Sequence, residues 1–135
     1  MIGRRRKSLP AELGPAYDAF MLVLGELEPA KAALTEVLPG TRMPGRPISD
    51  ALAAFERGLD AARVTMPEWR RPELETEWEA CALGLGESQR MAGELRAGAG
   101  TPDGFEALLG TVQALLDPLA PFERAALRFR DLRRR

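Results

Sequence analysis

The sequence predicts an all-α fold: an antiparallel up-down four-helix bundle whose last helix is kinked or broken near Pro118–Pro121. Three observations predict it. Apolar residues recur at steps of three and four in four separate stretches, the spacing of one helix face. No stretch alternates apolar and polar residues as a half-buried strand does. Proline and glycine gather between the stretches, and short connections favour antiparallel neighbours. The 135 residues fit one domain, 1–135, with basic tails at 1–7 and 130–135.

The first stripe runs Leu13, Tyr17, Phe20, Leu24, Leu27, Lys31, Leu34 and Leu38. Only Lys31 breaks it, and neighbouring Ala30 can face inward instead. Ser8-Leu9-Pro10 opens this helix, since proline is tolerated in a first turn. Pro39-Gly40 closes it. Pro29 within it should produce a kink, because proline removes one backbone bond and crowds the preceding turn. The connection 39–47 is the longest irregular piece, and its prolines predict an ordered segment.

The second stripe is Ile48, Leu52, Phe55, Leu59, Ala62 and Met66, with Ser49-Asp50 as a cap and Pro67 as the stop. The third is Leu74, Trp78, Cys81, Leu85, Ser88, Ala92 and Leu95. It begins at Pro72, and Glu73, Glu75, Glu77 and Glu79 then complement the positive end of the helix dipole. Ser88 is polar on this core stripe; it either sets helix register or bonds back to the carbonyl of Gly84. The fourth stripe follows Gly98, Gly100 and Thr101-Pro102-Asp103. It reads Phe105, Leu109, Val112, Leu116, Leu119, Phe122, Ala126 and Phe129, and Asp117-Pro118-Leu119-Ala120-Pro121 must bend or break it. Together the stripes place Phe20, Leu24, Phe55, Leu59, Trp78, Leu85, Leu109 and Val112 in one core.

Composition excludes much chemistry. Histidine is absent, which removes the usual general base near neutral pH and the commonest metal ligand. A Ser–His or Cys–His nucleophile cannot be built within the chain, nor can a His-containing zinc site. Carboxylates of the run Glu73–Glu79 do not converge on one ion, because alternate helical residues point about 200° apart. Gly84-x-Gly86 and Gly98-Ala99-Gly100 lack the preceding strand and the Lys-Ser/Thr of a phosphate loop. Arg42 and Arg46, in the long connection, are a weak signal for an anion clamp. Neither a cofactor nor an enzymatic activity is expected. Cys81 stands alone, so no intrachain disulfide forms, and its place on the third stripe predicts a buried, inert thiol. No apolar run approaches the roughly 18–20 residues that span a bilayer. Met1-Ile2-Gly3 leads into four cations without the apolar stretch of a signal peptide, so a cytoplasmic protein is expected. Arginine outnumbers lysine 17 to 2, as in a GC-rich bacterial genome.

Charge supplies the one functional hint. Residues 1–7 carry +4 and residues 124–135 carry +5, which leaves −10 on residues 8–123 of a chain whose total is −1. In an antiparallel bundle both termini and the connection after the second helix lie at one end. That end should gather Arg4, Arg5, Arg6, Trp69, Arg70, Arg71, Arg130, Arg133 and Arg134 as an anion-binding pole, with Phe129 among them. Guanidinium groups near aromatic faces suit an acidic protein partner or, alternatively, the phosphates and bases of nucleic acid. Against this, arginine near a helix carboxy terminus also serves the dipole, Trp69 can plug the bundle's end, and Glu73 and Glu75 can partner Arg70 and Arg71. The expectation is an interaction protein that uses a basic pole, in an oligomeric state the sequence leaves open.

Overall fold

A computed structural model describes residues 9–38, 48–98 and 104–133, the side chains of 104 and 105 excepted. Among the described residues five α-helices follow one another: α1 (Gly14–Thr35), α2 (Ile48–Thr65), α3 (Glu75–Ala97), α4 (Gly104–Leu116) and α5 (Pro121–Leu132). Short 3₁₀ turns precede α1 (Ala11–Leu13), link α2 to α3 (Met66–Trp69 and Pro72–Leu74), and join α4 to α5 (Asp117–Leu119). Helices α4 and α5 together form the fourth rod of an all-α four-helix bundle. Pro118 and Pro121 break that rod where the sequence places the break. Helix α1 includes Pro29 within its bounds. Pro29 cannot donate to the carbonyl of Gly25, and both residues lie on the exposed side.

Contacts between helices fix the direction of each. The start of α1 meets the end of α5 through Tyr17 and Phe129, whose ring centroids are 5.4 Å apart. It meets the end of α2 through Phe20 and Trp69, at 5.0 Å. Along the α2–α3 pair, the Trp78 indole N–H donates to the carbonyl of Met66 at 2.7 Å. Farther along, Gln89 donates to Asp60 and accepts from Arg63, and Arg96 stands 3.0 Å from Glu56. The contacts of α3 with the fourth rod run the same way, from Arg128 over Glu77 at one end to Ser88 on Leu115 farther down. Every neighbouring pair is antiparallel.

Two pairs approach closely because glycine allows it. A Cβ on Gly58 would press on Ala30 and the carbonyl of Glu26, so α1 and α2 touch through small residues. A Cβ on Gly84 would overlap the carbonyl oxygen of Pro118, so α3 seats directly on the proline break. The backbones of α1 and α5 stay farther apart. Large rings fill the space between them: Phe20 packs on Trp69, Phe122 and Phe129.

The buried faces follow the stripes with shifts. Leu13 of the first turn and Ala16, Phe20, Val23, Leu27, Ala30 and Leu34 of α1 form one closed face. Leu24 and Trp78 pack only partly buried against the core, and Leu109 is half-exposed. On the fourth rod Leu115 and Ala125 are buried, while Leu116 is half-buried and Ala126 exposed. The 3₁₀ turn advances the chain by about three residues per turn instead of 3.6, which rotates α5 relative to an uninterrupted helix. Helix α2 begins at Ile48, so Ser49 and Asp50 lie in its first turn and not ahead of it. The expected order of 39–47, with Arg42 and Arg46, falls outside the described residues.

Candidate functional site at the closed end of the bundle

Antiparallel packing does bring the start of α1, the α2–α3 connection and the end of α5 to one end. Arg70 follows the Met66–Trp69 turn with extended backbone, and Pro72 then begins the next turn. This short path points Arg70 back onto α3. Its Nη2 lies 2.8 Å from Glu75, its Nε donates to the same carboxylate at 2.9 Å, and its guanidinium covers the Trp78 ring at 4.1 Å. The hydrogen bond to Glu75 raises the Arg70 pKa above its ordinary value, against an opposing effect of desolvation. Arg133, just past α5, covers the Tyr17 ring at 4.4 Å. Arg128 lies 3.9 Å from Glu77 and donates to the carbonyl of Glu73 at 3.3 Å. Arg130 reaches only its neighbour Asp131, at 4.0 Å, with both side chains exposed.

Arg71 differs from these. Its Nε is closed off from water and has no hydrogen-bond acceptor, and no ion pair engages it among the described residues. Buried polar atoms are normally satisfied, so an orphaned guanidinium nitrogen marks a place where an acceptor is missing.

One expectation about this end needs correction. Trp69 is fully buried, with its indole N–H on the sulfur of Met66 at 3.2 Å, and Phe129 is buried beside it. Both rings belong to the core, because the α2–α3 turn folds inward over Phe20; neither offers a face to a partner. The expected gathering of Arg4, Arg5, Arg6 and Arg134 at this end lies outside the described residues, and the described part by itself holds no cationic excess. Arg70, Arg71, Arg128, Arg130 and Arg133 share it with Glu12, Glu68, Glu73, Glu75, Glu77 and Asp131. Acidic residues that serve the amino terminus of α3 necessarily lie at the same end as the connection preceding it. The excess positive charge resides in Arg4, Arg5, Arg6, Lys7, Arg134 and Arg135, all outside the described residues.

Cys81 is buried, and desolvation pushes its thiol up from 9.0 to about 12, opposed by Arg124 and reinforced by Glu77. Ser88 bonds across to α4 and not back to Gly84. Among the described residues no group of three or more Cys, Asp or Glu side chains could hold a metal ion. No described helix is long and apolar enough to cross a membrane. Surface grooves of about 410 Å³ between α3 and α4 and about 480 Å³ between α1 and the α4–α5 junction are lined mainly by apolar side chains. A cleft of about 220 Å³ beside Trp78 lies between α2 and α3. No family model, curated protein or solved structure matches this chain.

Proposed function

We propose that the chain is a non-enzymatic interaction protein of the bacterial cytoplasm that docks an acidic protein segment on its closed end. Arg71 carries the reading. Arg70 and Arg128 already have carboxylate partners, whereas the Arg71 Nε has none. A carboxylate from a partner would pair with the Nη groups of this guanidinium, which have no partner among the described residues, in the charge-assisted geometry that guanidinium favours. The arginines of both chain ends, joined to this same end, would add long-range attraction.

The acidic-protein reading is preferred over nucleic acid for a structural reason. Base recognition in single strands relies on open aromatic faces. Trp69 and Phe129 are buried, and Arg70 and Arg133 already cover Trp78 and Tyr17.

Fluorescence anisotropy with a labelled polyglutamate peptide and a labelled single-stranded oligonucleotide tests this. The peptide should bind at low salt, weaken as salt rises, and bind at least about tenfold more weakly to Arg71→Glu. Absence of peptide binding at low salt, or equal binding by Arg71→Glu, would refute the proposal. Tighter binding of the oligonucleotide than of the peptide would favour the nucleic-acid alternative.

A further inference from the structure

The side of the bundle between α1 and α5 is filled by rings at one end and grooved farther along. The backbones of α1 and α5 stay apart, and a groove of about 480 Å³ between α1 and the α4–α5 junction is lined by apolar Leu24, Leu119 and Phe122 and by charged Glu28, Lys31 and Glu123. Met21 on α1 is 46% exposed and Leu127 on α5 is 47% exposed. Isolated exposed apolar residues need no explanation, but these two stand on the helices that bound the same groove.

Charge along α5 says what fits. Glu123, Leu127 and Arg130 are spaced i, i+4 and i+7, so they share one face of the helix, and all three are exposed. Glu123 has no ion pair among the described residues. Arg130 has only its sequence neighbour Asp131, at 4.0 Å, among the described residues. An acid and a base of equal charge thus flank a leucine at nearly equal distance along the helix. A two-fold axis through the midpoint, between Ala126 and Leu127, would lay a second α5 antiparallel on the first. Glu123 of each copy would then meet Arg130 of the other, and the two leucines would meet at the axis. Ala126 is small enough for the backbones to approach there.

We infer that this face is an isologous interface and that the protein pairs with a second copy of itself across α5. In such an interface each residue acts twice, so one substitution changes two contacts. The inference is independent of Arg71 and of the acidic partner.

The test is the oligomeric state of the full chain by analytical ultracentrifugation over a range of concentrations. A monomer–dimer equilibrium is expected for the native chain. Leu127→Glu should raise the dimer dissociation constant by about tenfold or more, as should Glu123→Arg and Arg130→Glu separately, because each reversal creates two like-charge contacts. The double variant Glu123→Arg/Arg130→Glu restores both pairs with swapped sign and should return the constant to within about threefold of the native value. All three positions are exposed, and an unchanged thermal midpoint of a monomeric sample would show that the fold is intact. A native chain that stays monomeric at every concentration overturns the inference. So does a dimer indifferent to Leu127→Glu, or a double variant no better than the single reversals.

Discussion

The hydroxyl of Ser88 on α3 donates to the carbonyl oxygen of Leu115 on α4, at 2.7 Å, in the interior of the bundle. Leu115 is among the last four residues of α4, whose carbonyls lack intrahelical partners. The break at Pro118 thus creates an orphan acceptor inside the protein, and a serine on the facing helix satisfies it. Removing the hydroxyl in Ser88→Ala leaves that acceptor buried and unmet. The expected loss is about 1–3 kcal/mol in urea denaturation. A midpoint equal to the native one would mean that water or a neighbouring amide replaces the bond.

Gly84 and Gly86 lie in the same helix and should respond oppositely to alanine. A Cβ at Gly84 would overlap the backbone of Pro118, which cannot rotate away, so Gly84→Ala should cost about 1–3 kcal/mol or more. A Cβ at Gly86 meets nothing within 4 Å. Alanine there gains its better helix propensity, about 0.5–1 kcal/mol. Thermal midpoints that move the same way for both variants would contradict the close seating of α3 on the break.

Cys81 links stability to alkaline pH. Its thiol is raised from 9.0 to about 12 in the fold, chiefly by desolvation. Between these values the unfolded chain releases the proton and the native chain retains it. The native state binds more protons there, so stability should fall as pH rises from about 9 towards 12, and Cys81→Ala should abolish that part of the slope. A thiol reagent at pH 8 should modify the native protein only at the rate of unfolding. Fast, stoichiometric modification without denaturant would show that the sulfur is accessible.

Phe20 and Leu24 lie one turn apart on α1 but in different surroundings. Phe20 is closed on all sides by Trp69, Phe122 and Phe129. Phe20→Ala should therefore cost about 3–5 kcal/mol. Leu24 opens onto the groove between α1 and α5, so Leu24→Ala should cost distinctly less. Equal losses for the two variants in urea denaturation would place Leu24 inside the closed core.

Much of the fold was legible in residue order. Step lengths of three and four specify helices locally, and proline acts on the turn in which it stands, so the four rods and the break at Pro118–Pro121 can be read directly. The burial of Cys81, Leu85 and Phe55 follows from the same stripes. Relations between helices cannot be read that way. Which of two adjacent residues faces inward depends on helix rotation, which places Val23 and Ala125 inside where Leu24 and Ala126 had equal claim. Rotation in turn depends on where glycine lets two backbones meet, as at Gly58 and Gly84.

For the candidate site the division is the same. Charge counts alone place arginine at the ends of the chain and join those ends in an antiparallel fold. They cannot say that Glu75 occupies Arg70, that Trp69 turns inward, or that the Arg71 Nε is left without an acceptor. The spacing of Glu123, Leu127 and Arg130 was present in the sequence, but it acquires meaning only when that stripe is seen to remain uncovered. Periodicity and composition are properties of neighbours along the chain, and they determined the helices. Partner choice is a competition among groups distant in sequence, and only tertiary packing decides it.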